Sequence, residues 1–439
     1  MMIGVPTNRH LTEAICVRST PRLLALLALS LMLPASAASA QAVKDWTVIG
    51  YFVGDDNKTT SLEESQLRNL DELSERGSGA AYDVVVQADR SNKINDYLRS
   101  RYSDPDYSGA KRYHVQRDRW SVEAKLGEVN MGDPAALLDC LKWAAKTHPA
   151  RHYLLVINSH GSGMLSWRGP GSTSDSQPGR VNLPISSYVA YDDTDNDCLT
   201  IFELARVLEA FAASNGGRKL DIVAMDACYA ASVEALFQVR DGTDVLIASE
   251  STIPGNGFAY SAIVDAIAAN PAISADDLSG VVTKSFIHKA DNNNVLGAYR
   301  TAGAEDVRSA CDSLVREFRT AAKEIGKPTA QGLTAFADEK YWDLERIADA
   351  IIAGRTNTAS ASNAAQVLGA AQKLKGAIKS CRASLWYSGT YADQKVGGLT
   401  IFWPSKDDYR TYRNFYKATT FSAAGLWDEF LDWYALGME

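Results

Sequence analysis

Residues 153–163 read YLLVINSHGSG, and residues 220–229 read LDIVAMDACY. Each stretch is an apolar run of strand length, followed at once by small and polar residues. Runs without polar alternation are typical of strands in a parallel sheet, which is covered on both faces. Ligands bind to such sheets just beyond the carboxyl ends of the strands. His160 and Cys228, which each follow a strand end, are therefore candidate functional residues.

The segments around these two runs predict an α/β fold with a mostly parallel sheet. Further apolar runs at 46–53, 82–88 and 245–248 alternate with helical patterns, as in βαβ units. Asp133 and Pro134 predict an N-cap and the first residue of a helix, and Thr200 and Glu203 predict a capping box. A hairpin is predicted between about residues 102 and 118.

The region after residue 300 has a different pattern. It predicts longer helices at roughly 304–325, 341–354 and 361–382, a strand at 399–403 and a terminal helix. Trp427, Phe430 and Tyr434 recur at helical spacing in that last helix, which is typical of core packing. We therefore expect a catalytic domain over residues 41–300 and a mainly helical region over residues 301–439 that completes it.

The first 40 residues have the pattern of a cleavable signal peptide. Arg18 and Arg22 precede an apolar run at 23–33, and small residues end at Ala40. An apolar run of this length is too short to span a bilayer, so an anchor helix is the less favoured alternative. Removal of residues 1–40 takes away three arginines and one glutamate, which changes the net charge from −8 to −10. We expect a secreted or periplasmic protein without a membrane span, and its acidic balance excludes nucleic acid as a partner.

Five cysteines follow the predicted cleavage site, at positions 140, 198, 228, 311 and 381. An odd number in an exported protein suggests at least one free thiol. The other four either form two disulfides or are buried and unpaired, and the sequence leaves both alternatives open.

His160, Gly161 and Cys228 together have the parts of an acyl-transfer site. A cysteine at a strand-to-helix turn lies near the positive end of the helix dipole, which favours its thiolate. An imidazole at the neighbouring strand end can assist the thiol and protonate a leaving amine. Because Gly161 has no side chain, its N–H can approach a substrate carbonyl and form an oxyanion hole with the Cys228 N–H.

The motifs also resemble those of a known family. The histidine precedes the cysteine by 68 positions, as in caspase-type peptidases and unlike papain-type ones. More narrowly, the chain resembles the clostripain family of cysteine peptidases, on the pieces at 46–57, 130–134, 160–163, 226–228, 248–251, 254–255, 398–401 and Pro404. These pieces extend over nearly the whole chain after residue 40.

The resemblance implies a caspase-like three-layer α/β/α sandwich and an endopeptidase that cuts after Arg or Lys. Cys228 would be the nucleophile and His160 its partner, and Asp226 would lie at the base of the S1 pocket. A buried carboxylate needs a partner, which a substrate guanidinium would supply. Asp226 could instead cap the following helix. The predicted walls of the pocket are Glu250, Ser251 and Thr252.

The acidic run at 192–197 suggests a calcium site. An EF-hand register from Asp193 is excluded, because Cys198 replaces the required glycine and Leu204 replaces the bidentate glutamate. The run is either a solvated loop or a calcium site of another kind, with Asp193, Asp195 and Asp197 as ligands. We expect no required cofactor.

Residues 166–187 are rich in Gly, Ser and Pro, which predicts an exposed loop. Arg168 and Arg180 in this loop are accessible to a protease that cuts after basic residues. Many members of the clostripain family mature by cutting themselves, so we expect self-cleavage here.

Two other functions compete with a peptidase. An α/β-hydrolase would need a Gly-x-Ser-x-Gly elbow, which is absent, since Asp226 and Ala230 stand at the two glycine positions around Cys228. An inactive caspase-like scaffold that binds an exported partner would have no need of His160, Gly161 and Cys228 together. Peptides or proteins with a basic P1 residue are the expected substrates.

Overall fold

The structure is a computed structural model that describes residues 42–55, 62–91, 107–163, 188–286, 293–320, 333–337, 339–355 and 362–437. The predicted signal peptide and the loop at 166–187, with Arg168 and Arg180, lie outside the described residues. The described residues belong to one compact unit. Among the helices that they form, none is long and apolar enough to cross a membrane.

The described residues form fourteen strands. They are β1 (Lys44–Val53), β2 (Tyr82–Asp89), β3 (Ala110–Gln116), β4 (Arg119–Gly127), β5 (Ala150–Asn158), β6 (Tyr188–Asp192), β7 (Asp197–Thr200), β8 (Leu220–Asp226), β9 (Thr243–Ala248), β10 (Val295–Arg300), β11 (Ala335–Phe336), β12 (Tyr341–Asp343), β13 (Arg382–Tyr387) and β14 (Thr400–Phe402).

A nine-stranded sheet forms the centre of the molecule, in the order β13-β10-β9-β8-β5-β1-β2-β3-β4. The five middle strands, from β9 to β2, are parallel, and an antiparallel pair extends the sheet at each edge. β11, β12 and β14 form a second, small sheet, and β6 and β7 form a hairpin.

The main sheet is buried on both faces because successive side chains of its strands enter two different apolar clusters. On β1, Val48 and Phe52 belong to one cluster, whereas Ile49, Tyr51 and Val53 belong to the other. Side chains alternate across a strand, so a strand that is apolar throughout requires cover on each side.

Helices supply that cover. They are α1 (Glu63–Arg76), α2 (Pro134–Thr147), α3 (Ile201–Ser214), α4 (Val233–Val239), α5 (Tyr260–Ala269), α6 (Ala275–Ser285), α7 (Ala304–Thr320), α8 (Leu344–Ile352), α9 (Ala364–Cys381), α10 (Gly389–Gln394), α11 (Lys406–Lys417), α12 (Thr420–Ala424) and α13 (Trp427–Leu436). Apolar residues of α1, α5 and α6 belong to the cluster of Val48, and those of α2, α3, α4, α7 and α9 to the cluster of Ile49. The predicted three-layer fold is therefore confirmed.

The two predicted helix starts are confirmed by their caps. The Asp133 side chain accepts a hydrogen bond from the Ala135 N–H, with proline at the first helical position. Thr200 and Glu203 form both hydrogen bonds of a capping box at the start of α3.

Two predicted segments were wrong. The hairpin formed by β3 and β4 covers 110–127 and so begins later than predicted. The helix expected from residue 341 begins at Leu344, because Tyr341–Asp343 forms strand β12, which pairs with β14. Asp343 then caps the helix by accepting a hydrogen bond from the Arg346 N–H. Strand β14 lies some sixty residues after β12, so the local pattern does not reveal this pairing.

Candidate functional site

The register of β5 and β8 brings the histidine and cysteine turns together. The two strands are parallel, and Asn158 is paired with Asp226. His160 and Cys228 each follow two residues later. Between the two turns the backbones are very close, since a Cβ atom placed on Gly161 would lie 2.5 Å from the Cys228 O and 2.7 Å from the Cys228 N. Only glycine fits at this position without displacing the cysteine turn.

The Cys228 thiol is half-buried and contacts a backbone segment beyond β9. The Ile253 N–H donates to the Cys228 Sγ at 3.3 Å, and the Ile253 O lies 3.9 Å from the same sulfur. Burial raises the pKa of the Cys228 thiol, the Ile253 N–H opposes that shift, and the nearby Asp226 adds to it. The net effect is a pKa above the ordinary value, so the thiol form is favoured.

This environment corrects the expectation that a helix dipole favours the thiolate of Cys228. Helix α4 begins only at Val233, with Ser232 as its N-cap, so Cys228 lies in a turn five residues before the helix. The effect of a helix dipole is confined to about one turn. The Ile253 N–H donates to the sulfur instead, and nothing in the sequence marks Ile253 for that role.

The turn that follows Cys228 has a constrained backbone. Tyr229 has a φ of 57°, which is rare for a residue with a bulky side chain. Its N–H donates to the Ser251 O, and the Ala231 N–H donates to the Ser249 O. These bonds to the end of β9 hold the strained turn in place.

The oxyanion hole that the sequence predicts would use the N–H groups of Gly161 and Cys228. In the part of the chain that the structure describes, neither donates to a backbone carbonyl. The two groups lie on turns that contact each other, as an oxyanion hole requires.

The segment around His160 is attached to the β6–β7 hairpin. The Ser159 Oγ accepts a hydrogen bond from the Tyr191 N–H at 3.0 Å, and the Ser162 N–H donates to the Tyr188 O at 3.3 Å. Both residues of the hairpin lie on β6. The position of the histidine turn therefore depends on that of the hairpin.

Asp226 is buried at the end of β8, and one of its oxygens is surrounded by donors. Its Oδ2 accepts hydrogen bonds from the Asn158 Nδ2 at 2.7 Å, the Tyr260 hydroxyl at 2.7 Å and the Phe258 N–H at 3.1 Å. The alternative role of Asp226 as a helix cap is wrong, because the Ser232 side chain caps α4.

The three predicted pocket walls have different environments. Glu250 is 1% exposed and accepts a hydrogen bond from the Gly398 N–H, and burial raises its pKa well above the ordinary value. The Ser251 hydroxyl is buried against that of Tyr391 at 3.1 Å. Thr252 is exposed. The two buried side chains thus contact the C-terminal region, and Thr252 is the exposed residue of the three.

The five cysteines that the structure describes are all unpaired. Cys140, Cys198, Cys311 and Cys381 are buried. The structure therefore agrees with the alternative of buried, unpaired cysteines and not with two disulfides. Burial raises the pKa of Cys140 and of Cys381 to about 12. Among these five cysteines, Cys228 alone is partly exposed.

The predicted calcium ligands do not converge. Asp193 accepts a hydrogen bond from the Tyr191 hydroxyl, and Asp197 accepts one from the Asn130 side chain. Neither residue, nor Asp195, belongs to a group of convergent ligands in the described residues. Asp192, which immediately precedes them, does belong to one.

The three-layer fold, with the turns of His160 and Cys228 in contact at the carboxyl end of the sheet, is the architecture of the caspase-like class of cysteine peptidases. The model of the clostripain family matches residues 50–434, and the chain belongs to that family. The family resemblance of the sequence motifs is therefore confirmed.

Similar proteins agree with this assignment. Clostripain from Hathewaya histolytica is 26% identical over 278 residues, which are 57% of this chain and 48% of clostripain, so the match spans about half the length of that relative. A secreted C11 cysteine protease from Bacteroides thetaiotaomicron, solved with an irreversible peptide inhibitor, has a TM-score of 0.60 at 18% identity, over 88% of this chain and 99% of its own. An inactive zymogen C11 protease from Parabacteroides distasonis has a TM-score of 0.61 at 16% identity, over 87% of this chain and 98% of its own. The two solved structures show the shared fold.

Proposed function

We propose that the protein is a cysteine endopeptidase that cleaves peptide bonds after Arg or Lys, with Cys228 as nucleophile and His160 as its acid–base partner. The observation that carries this proposal is the close approach of the Gly161 backbone to Cys228. It joins the two strand ends that bear the imidazole and the thiol, and it leaves two N–H groups on adjacent turns.

The proposed reaction begins with a neutral thiol, since the pKa of Cys228 is raised. His160 accepts the thiol proton as Sγ attacks the carbonyl carbon. The N–H groups of Gly161 and Cys228 stabilise the oxyanion of the tetrahedral intermediate. His160 then gives the proton to the leaving amine, a thioester remains on Cys228, and water hydrolyses it with His160 as base.

The specificity for a basic P1 residue rests on Asp226. Three donors hold its Oδ2 and fix the carboxylate at the end of β8, two residues before the nucleophile. A fixed carboxylate can bind a guanidinium or ammonium group by charge-assisted hydrogen bonds. Gly257 lies close to the same oxygen, which a Cβ there would approach to 2.4 Å.

A panel of fluorogenic peptides with Arg, Lys, Asp, Asn or Ala at P1 tests both parts of the proposal. We expect turnover of the Arg and Lys peptides and none with Cys228→Ala. Absence of turnover with every peptide would favour the inactive binding scaffold. Cleavage after Asp or Asn would reject the role of Asp226 while leaving that of Cys228 intact.

Asp226→Asn isolates the charge at the base of the pocket. We expect kcat/KM for the Arg peptide to fall by about 100-fold or more, with a smaller change for the Ala peptide, because a charge-assisted bond is lost. Tyr260→Phe is the matched control, since it removes one donor to Asp226 and keeps the carboxylate. An equal fall for both peptides would indicate a structural role for Asp226.

We also propose export through residues 1–40 and self-cleavage after Arg168 or Arg180. Mass spectrometry of the protein secreted by the producing cell checks the proposed export, with an N-terminus at Gln41 as the expected result.

The proposed self-cleavage predicts that the purified protein converts to two chains, whereas Cys228→Ala and the double variant Arg168→Gln/Arg180→Gln should remain single chains. Retention of a single chain by an active wild-type enzyme would reject self-cleavage.

A further inference from the structure

Two imidazoles and a carboxylate converge at the amino end of the central sheet. They belong to Asp83, the second residue of β2, to His114 of β3 and to His148, which follows α2. Each offers a ligand atom within 4.8 Å of the others. We call these three residues the His114 cluster. Because β1, β2 and β5 are parallel, the cluster lies at the opposite end of the sheet from His160, which follows the carboxyl end of β5.

The distances within the His114 cluster fit the ligands of one metal ion. The His114 Nε2 lies 2.9 Å from the Asp83 Oδ1, and the His148 Nδ1 lies 3.3 Å from the Asp83 Oδ2. Two ligands of a tetrahedral Zn²⁺ ion, each about 2.0–2.1 Å from the metal, are about 3.3 Å apart. Each of the three residues can therefore supply one ligand atom to the same ion.

The outer nitrogens of the two rings face a second carboxylate, that of Glu123. The His148 Nε2 lies 3.1 Å from each Glu123 oxygen, and the His114 Nδ1 lies 3.9 Å from the Glu123 Oε1. Glu123 is the unpaired residue of a β-bulge in β4, and a bulge redirects the side chain that it carries. Metal-binding histidines usually donate their other N–H to such a carboxylate, which fixes the ring and its tautomer.

The inner nitrogen of His148 is buried without a hydrogen-bond partner. His148 is 3% exposed, and its Nδ1 has no partner in the part of the chain that the structure describes. When the Nε2–H of a neutral His148 is donated to Glu123, the lone pair of Nδ1 is directed toward the Asp83 carboxylate. Two acceptors at this distance repel each other, and a cation between them removes the repulsion.

The ammonium group of Lys44 does not fill this position. Its Nζ donates to the Asp83 Oδ1 at 2.7 Å and to the carbonyls of Gly79 and Tyr82. The Asp83 Oδ2, which faces His148, is left for a metal. Two carboxylates are thus opposed by one ammonium group, and a further positive charge between the rings is favourable.

A proton on His148 is the competing occupant. Burial lowers the pKa of His148, but the Asp83 and Glu123 carboxylates outweigh this effect, so the pKa lies above its ordinary value. A metal ion binds the neutral imidazole and has to displace that proton, so metal affinity should fall as the pH decreases.

We propose that the His114 cluster binds one Zn²⁺ ion, with Glu123 as the carboxylate that orients the two rings. Two imidazoles and one carboxylate, with water as the fourth ligand, form a common zinc site. The His114 side chain is 22% exposed, so water can reach the fourth position. The ion joins β2 and β3 to the turn between α2 and β5, at the end of the sheet opposite Cys228, and its role is to stabilise the fold.

Zinc binding is tested on full-length Cys228→Ala protein without a histidine tag, because a reactive thiol and a tag also bind zinc. After treatment with EDTA and its removal, titration with ZnCl₂ is expected to give one site by calorimetry and to raise the Tm by about 2 °C or more. The affinity should decrease between about pH 8 and about pH 6. Absence of binding at sub-millimolar zinc would overturn the proposal in favour of the proton.

His114→Gln and His152→Gln form the matched pair of variants. His114→Gln removes one ligand, and we expect it to bind zinc at least about 100-fold more weakly, since loss of an outer partner alone costs about 10- to 100-fold. His152 lies outside the cluster and pairs with Asp221, so His152→Gln should bind zinc like the parent protein. Equal zinc affinity of the two variants would overturn the ligand assignment.

Glu123→Gln tests the orienting carboxylate at an exposed position, where substitution leaves the core intact. We expect zinc affinity to fall by about 10- to 100-fold. The visible absorption of Co²⁺ bound in place of Zn²⁺, which reports the arrangement of the ligands, should also change. Lys125→Gln, at another exposed position of β4, is the control and should alter neither measurement. Unchanged affinity and absorption in Glu123→Gln would overturn the orienting role of Glu123.

Discussion

The pKa of the Cys228 thiol is set by competition between burial, which raises it, and backbone N–H donors, which lower it. Removal of the sulfur from water raises the pKa of the thiol, and the Ile253 N–H lowers it by a smaller amount. Nucleophilic thiols in other enzymes often have a lowered pKa. The raised pKa is why the proposed mechanism assigns removal of the thiol proton to His160.

Alkylation by iodoacetamide measures this pKa directly. Because only the thiolate reacts, we expect the rate to rise about tenfold per pH unit until the pH exceeds the ordinary thiol value of about 8.5. Cys228→Ser supplies the background from the other, buried cysteines. A rate that is already constant between pH 6 and 9 would indicate a preformed thiolate and contradict the raised pKa.

Gly161→Ala tests the close approach of the two turns. The added Cβ would overlap the Cys228 backbone, so the turns must separate. We expect kcat/KM to fall by about 10²- to 10³-fold as the oxyanion donors move apart, with a loss of about 1–3 kcal/mol in the free energy of unfolding.

Gly280→Ala is the matched control for Gly161→Ala. Gly280 lies within α6 with no atom near the position of an added Cβ. Alanine there should leave activity unchanged and stabilise the protein by about 0.5–1 kcal/mol. Full activity of Gly161→Ala would remove Gly161 from the oxyanion hole.

The sequence predicts where the reactive residues lie, but not what surrounds them. His160, Cys228 and Asp226 are predictable because apolar strands end beside them. Ile253 contacts the sulfur through its backbone, which any residue type can supply. Four carboxylates that converge in the folded protein are separated by up to 137 positions in the sequence, so only the folded sheet brings them together. They belong to Asp55, Asp89, Glu128 and Asp192.

At the level of elements, helix α4 is connected to the C-terminal region through one buried carboxylate. Glu234 is fully buried on α4, and its Oε1 accepts hydrogen bonds from the Phe402 N–H of β14 and the Tyr416 hydroxyl of α11. Burial raises the pKa of Glu234, and these donors reduce the shift without cancelling it.

The free energy of unfolding should therefore depend on Glu234 in a pH-dependent way. A carboxyl whose pKa is higher in the folded state stabilises the protein fully below its unfolded pKa of about 4.3, and this contribution is lost as the pH rises through the folded value. Each pKa unit by which folding raises the pKa of Glu234 then lowers the free energy of unfolding by about 1.4 kcal/mol at high pH, relative to its value at low pH.

Glu234→Gln removes the titration and keeps an oxygen for both donors. We expect the variant to gain stability relative to wild type as the pH rises from 5 to 8, measured by urea denaturation at each pH. Glu305→Gln is a control on the exposed face of α7, where Arg308 lowers the pKa of the carboxyl and the gain with pH should be absent. A constant difference between Glu234→Gln and wild type over this range would contradict the raised pKa.

At the scale of the whole molecule, the C-terminal helices share a core with the central sheet. One apolar cluster contains Leu155 of β5 and Val223 of β8 together with Trp403, Trp427 and Phe430. The prediction that aromatic residues of the last helix are core residues is confirmed for Trp427 and Phe430, whereas Tyr434 is half-buried and packs against the cluster. Helical periodicity identifies the apolar face of α13 but not the surface that it covers, because that surface is built from distant segments.

This shared core predicts that the catalytic sheet and the C-terminal helices unfold together, and Trp427→Ala tests it. Trp427 is fully buried, its Nε1 donates to the Phe402 O at 2.8 Å, and its ring packs edge-on against Trp403. Truncation to alanine should lower the free energy of unfolding by about 3–5 kcal/mol. Trp433→Ala, at a half-buried position on the same helix, should lower the free energy of unfolding by a clearly smaller amount.

The measurement compares two probes during urea denaturation of Trp427→Ala: hydrogen exchange of the α13 backbone amides for the C-terminal core, and the circular dichroism of the whole chain. Since the cluster is continuous from β5 to α13, loss of the helices would expose one face of the sheet, and the two midpoints should coincide. If the α13 amides lost protection at a lower urea concentration than that at which the circular dichroism changed, the C-terminal region would be a separately folding unit. In that case the sheet would retain its structure without the cover of α13, contrary to what the common core requires.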